Sequence, residues 1–143
     1  MPATLTQAHD EVLEVFDDAW SALATPPPVQ YPDRPPPVDP FPPVGATWAR
    51  VHLTDNEGEQ IGFGPAEGRR YRSMGVLTVQ IFAPKGSGRS IPQALAQTVL
   101  GAFRGKTTAG GLEFFRHRAR DIGPDGDWWQ TNVIVEYQYD SVE

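Results

Sequence analysis

Residues 75–104, GVLTVQIFAPKGSGRSIPQALAQTVLGAFR, decide the fold class, because the hydrophobic period changes inside them. From Gly75 to Ala83, Leu77, Val79 and Ile81 face one way and Thr78 and Gln80 the other, the two-residue repeat of a half-buried strand. Pro84-Lys85-Gly86-Ser87-Gly88 breaks that repeat. Ser90 then reads as the cap of a helix running to about Arg104, with Ile91, Leu95, Val99, Ala102 and Phe103 as its buried stripe. Pro92 is tolerable there, because the first turn of a helix has no use for its missing N–H.

Downstream, two strands are expected at about Leu112–Ile122 and Trp128–Tyr139. Gly123-Pro124-Asp125-Gly126 between them is good turn chemistry and predicts an antiparallel hairpin. In the second of these strands Trp129, Thr131, Val133, Val135, Tyr137 and Tyr139 share one face. Upstream, Trp48–Thr54 alternates, with Ala49, Val51 and Leu53 on one side and Arg50 and His52 on the other. Gln60–Gly64 is a short strand candidate inside a loop rich in Gly, Glu and Arg.

The N-terminal third differs in kind. Over residues 4–24, Leu5, Ala8, Val12, Phe16, Ala19, Trp20 and Leu23 recur at helical spacing, with Thr4 or Thr6 available as a cap and an acidic opposite face. From Pro26 to Pro43 the chain carries ten of its fifteen prolines. Each fixes φ and removes a donor, so this segment is expected to be an extended arm and neither helix interior nor central strand. It either spaces the helix from the first strand or lies over a neighbouring subunit, where Tyr31 and Phe41 would escape water. The 143 residues are therefore read as one α+β domain: an N-terminal amphipathic helix (1–25), a Pro-rich arm (26–47) and a body (48–143). The body is a mainly antiparallel β-sheet with one further packed helix and the C-terminal hairpin.

The net charge of −6 is unevenly placed. Residues 1–47 hold seven acids against the single base Arg34, while residues 48–143 hold eleven of each sign. An acidic chain is a poor non-specific ligand for nucleic acid. There is no cysteine, hence no disulfide framework and no thiolate metal site, which suits a reducing cytosol. No signal peptide and no membrane span are expected.

No catalytic, cofactor or metal site is legible. His9, His52 and His117 lack ligand-like spacing, and Asp125 and Asp127 flank a glycine without the remaining ligands of a calcium loop. Lys85–Ser90 leads into a helix start but does not meet the phosphate-loop spacing, and no nucleophile elbow occurs.

One charge pattern stands out. Arg116, Arg118 and Arg120 alternate along a predicted strand and share a face, which is either solvated or an interface. A row of acids is its natural mate, and the first helix supplies Asp10, Glu14, Asp17 and Asp18. Within one subunit the two rows would pin the helix; between subunits they would orient a ring.

The order of elements and several stretches resemble the tail terminator-like family of bacteriophages and prophages. The resemblance runs from the arm into Trp48-Ala49-Arg50-Val51, through Tyr71 to Phe82 (YRSMGVLTVQIF), to the helix end Ala102-Phe103-Arg104-Gly105. It closes on Ile122 to Gln130 (IGPDGDWWQ), Asn132-Val133 and Tyr139-Asp140. It implies a structural virion protein and not an enzyme: a homohexameric ring, made in the host cytoplasm, that caps the head-proximal end of the tail. Its implied partners are the tail tube protein, the head-tail connector or neck proteins, and genome DNA passing through the lumen without specific binding. The arm, with Tyr31 and Phe41, and the arginine row are expected at subunit contacts. Alternatives are another neck or minor tail protein of the same particle, a monomeric binding module gripping a ligand with exposed Trp128 or Trp129, or a small enzyme with a site of no known motif.

Overall fold

The computed structural model describes residues 4–61 and 70–142. Helix α1 spans Leu5–Ser21, strands β1 and β2 span Val29–Gln30 and Trp48–Gln60, and β3 spans Arg70–Pro84. Helix α2 (Ser90–Phe103) follows, then β4 (Glu113–Asp125) and β5 (Trp128–Val142). The strands form one sheet in the order β1-β2-β3-β5-β4, antiparallel except where β1 runs parallel to β2. This is the α+β architecture expected, with the hairpin in place.

Parity along β3 and β5 builds the core. Leu77, Val79 and Ile81 pair with Val135, Val133 and Thr131, and these side chains point to one face, where both helices lie. Leu95, Ala96, Val99, Leu100 and Phe103 of α2 and Ala8, Val12, Val15, Phe16 and Trp20 of α1 close over them. Burying each large apolar side chain contributes about 1.5–3 kcal/mol, so this one layer contact supplies most of the folding drive.

Several local expectations shift. The turn of the hairpin is Gly126-Asp127, one step beyond the Pro-Asp pair, because Asp125 already pairs with Trp128. Gly126 has φ 62, as the first position of a two-residue II′-type loop requires. Ser90 is the first helical residue and makes no cap; Arg89 holds the cap position without a side-chain hydrogen bond. The stripe of α2 is rotated: Ile91 is half exposed, while Pro92 and Leu100 are buried. On α1, Leu5 is likewise exposed and Val15 joins the core in its place. Thr4 does cap α1, accepting from the Gln7 amide at 3.2 Å. Glu11 accepts from the Gly110 amide at 2.6 Å, tying α1 to the loop before β4.

The strands outrun their apolar repeats at both ends, since polar residues such as Arg72 and Asp140 continue the ladder and pair at 2.9 Å. Most of the Gln60–Gly64 candidate lies outside the described residues; Gln60 itself ends β2. The arm is extended and touches the sheet only at its edge, consistent with a segment that is not a central strand: the Ala49 amide donates to the Pro28 carbonyl at 2.9 Å, and Val29 and Gln30 pair with Ala49 and Arg50. An edge position is the one a proline-flanked strand can take.

Gly75 lies directly against the ring of its cross-strand partner Tyr137. A Cβ there would sit 2.5 Å from the ring of Tyr137, which is fully buried. Gly75→Ala is therefore expected to lower stability by about 1–3 kcal/mol, read as a fall in the urea midpoint, and trimming Tyr137 to Val in the same chain should recover part of it. An unchanged midpoint would show that the ring has room to move.

Candidate subunit-interface surfaces

With both helices on one face of the sheet, the molecule presents two unlike sides. On the helix side, the outer face of α1 carries Asp10, Glu14, Asp17 and Asp18, all exposed. Asp10, Glu14 and Asp17 line a groove of about 620 Å³ closed on its far side by Tyr31, Arg34, Pro35 and Pro37 of the arm. Tyr31 donates its hydroxyl to Asp17 at 2.7 Å and stands edge-on to Phe16, ring centroids 6.1 Å apart. Asp17 also accepts from Ser21 at 3.2 Å. The Trp20 indole N–H donates to the Pro27 carbonyl at 2.9 Å, pinning the start of the arm to α1.

Arginines 116, 118 and 120 lie on the other side. They pair with Glu136, Ile134 and Asn132, the outward residues of β5. Simple alternation would put them on the face of Phe114, which points into the core opposite Tyr137. A bulge between Phe114 and Arg116 inserts one extra residue, Phe115, and turns the row outward. A second bulge between Asp121 and Gly123 ends the row, with Ile122 as its extra residue. Phe115 and Ile122 are each about half exposed on this edge strand. Arg116 approaches Glu136 at 3.5 Å; among the described residues Arg118 and Arg120 make no ion pair. The sheet thus separates the arginine row from the acidic helix face, and the reading in which the two pin α1 within one subunit is excluded.

Phe41 lies on the helix-free side, at the end of the sheet, edge-on to Trp48 with centroids 4.9 Å apart. Trp48 stacks on Phe82 at 4.1 Å and meets Trp128 edge-on at 5.9 Å, while the Arg50 guanidinium covers Phe82 at 5.6 Å. The far end of the arm therefore folds back on its own β2. This explains why Trp48 is buried although its parity points it away from the helices, a feature the alternation does not reveal. Both Tyr31 and Phe41 thus have partners in their own chain, and residues 32–40 between them are exposed. Trp128 and Trp129 are partly accessible, Trp129 lying under the Arg89 guanidinium at 5.5 Å.

Among the described residues no group of three His, Cys, Asp or Glu side chains could hold a metal. His9 meets Asp55 at 3.0 Å on the surface, and Arg104 donates to His117 at 3.0 Å. No helix among the described residues is long and apolar enough to cross a membrane. The hydrogen bond to Asp140 and its charge raise the Arg72 guanidinium above its ordinary value. Burial, then the hydrogen bond and charge of Asp17, holds the Tyr31 phenol well above its usual range. Burial first, then the charge of Asp55, does the same for Tyr137, and burial raises Tyr139.

A phage tail terminator protein family model matches residues 9–137, and the chain belongs to that family, whose members are structural tail proteins of the virion. A solved protein structure shares the fold at a TM-score of 0.64, with 15% identity over 92% of this chain and 94% of its own, a likeness of fold alone. No curated protein matches in sequence.

The raised phenols have a signed consequence. Folding favours their neutral form, so their contribution to stability is complete below the unfolded value of about 10 and is lost as pH rises through the folded values. In a 295 nm titration the folded protein should ionise fewer of its four tyrosines near pH 10 than the urea-unfolded chain. Stability should fall above about pH 10. Four tyrosines ionising together at the ordinary pH would contradict the burial of Tyr31 and Tyr137.

Proposed function

We propose that the protein ends the growth of the tail tube by closing, as a ring of six copies, on its head-proximal end. The other face of the ring then receives the neck proteins, and genome DNA passes through the lumen without specific binding. The observation that carries this reading is the family match, which runs through α1, the arm and nearly the whole sheet. The molecule's chemistry agrees in kind. A ring requires a heterologous contact, in which two different patches of one surface meet. This surface has two such patches of opposite charge on opposite sides, and an arm with a long exposed stretch.

On this reading the protein is made and assembles in the host cytoplasm and ends as a component of the virion. A neck or minor tail protein of the same particle would also bind the tail but would not limit the length of tubes. The discriminating measurement is therefore tube length. Purified tube protein polymerised with increasing amounts of this protein should give shorter tubes, each carrying a ring at one end in negative-stain images. Light scattering should give the mass of the assembled species. Tubes that bind the protein yet grow to unaltered length would assign it to the neck or another minor position. A monomer that ignores tubes would end the terminator reading.

A further inference from the structure

The two charged rows are matched in spacing as well as sign. On α1, Asp10, Glu14 and Asp18 recur every four residues, a step of about 6 Å. On β4, Arg116, Arg118 and Arg120 recur every two residues, a step of about 7 Å. Over the three charges the rows span about 12 and about 14 Å, a difference that long arginine side chains take up. All six residues are exposed. Among the described residues, five of the six make no ion pair, and Arg116 has only its 3.5 Å approach to Glu136. Asp17 falls outside the row because Tyr31 and Ser21 already engage its carboxylate.

The rows lie on opposite faces of the sheet, so no bending of side chains brings them together in one subunit. The bulge at Phe115 is what places the arginines outward, and it sets an exposed aromatic residue at one end of the row while Ile122 stands at the other. An exposed charged row with an apolar residue at each end can serve as a contact surface, the apolar residues supplying area and the charges register.

We propose that the Arg116–Arg120 row of one copy docks along the Asp10–Asp18 row of α1 of the next, and that this charge register fixes the orientation of neighbours in the ring. The proposal rests on the ring reading above and adds its interface. Exposed pairs contribute little affinity each, so the rows select the partner and its register while the apolar residues beside them supply contact area.

The full-length chain tests this through two charge-reversed variants, R116E/R118E/R120E and D10K/E14K/D18K. All six positions are on the surface, so each variant should keep the circular dichroism and urea midpoint of the natural chain. Assembly is read by light scattering and by rings on tube ends. Each variant alone places like charges across every contact and should associate on the order of a hundredfold more weakly. Mixed in equal amounts, the two should assemble again, because an even-numbered ring can alternate them so that every contact regains opposite charges. Rings that persist in either variant alone, or a mixture that stays dissociated while the natural chain assembles, would overturn the docking and leave the terminator reading intact. Variants that still form rings but no longer cap tubes would place the rows against the tube protein instead, which also overturns it. A natural chain that neither assembles nor caps tubes would be a failure of the functional reading itself.

Discussion

Fifteen consecutive residue pairs join β3 to β5, from Arg70 with Val142 to Pro84 with Trp128, and no bulge interrupts them. Everything else in the molecule takes its position from this ladder. Because its register is unbroken over about 50 Å, the parity of every side chain on it is settled, and with it the side on which both helices must lie. Leu77, Val79, Ile81, Val133, Val135 and Tyr137 are fully buried on that side. At about 1.5–3 kcal/mol for each such side chain, against about 0–1 kcal/mol for an exposed ion pair, the ladder and its covering helices hold the fold. The surface charges are thereby released from any duty to stability and are available to choose orientation.

The irregularities sit on the flanking strands. β2 carries one bulge and β4 two. On β4 a single inserted residue reverses the facing of three arginines without disturbing the hairpin or the core residue Phe114 that precedes them. A substitution could not do this, since it changes one side chain and leaves parity alone. An insertion changes the facing of all that follow, and the second bulge restores the count before the turn at Gly126.

How much of this was legible follows from which forces speak through local sequence. Two-residue and four-residue periods report burial on a strand or helix, so Leu77–Ile81, Thr131–Tyr139 and most of α1 could be read directly. The strand ends could not, because Arg72, Asp140 and their neighbours are held by backbone pairing with a partner whose register is a long-range property. The rotation of the α2 stripe, which buries Pro92 and Leu100 and leaves Ile91 in water, follows from how the helix seats on the sheet. The burial of Trp48 needed the arm to fold back, and β1 needed an edge to pair with. For the surfaces, sequence identified both charged rows and their separate sharing of a face. It could not say that these faces are opposed, since that depends on strand order and on a bulge with no sequence signature beyond an extra Phe.

The arm leaves the sheet after Gln30 and returns to it at Trp48, and both points are anchored on the same short strand pair, with Trp20 fastening the chain just before the first. It is a loop whose ends coincide. The entropy of closing such a loop rises only logarithmically with its length, so residues can be gained or lost between Tyr31 and Thr47 with almost no effect on the register of the sheet. Related chains can therefore differ widely in this stretch while sharing an unaltered frame, and the reach of the protein toward its surroundings can evolve independently of its ability to fold.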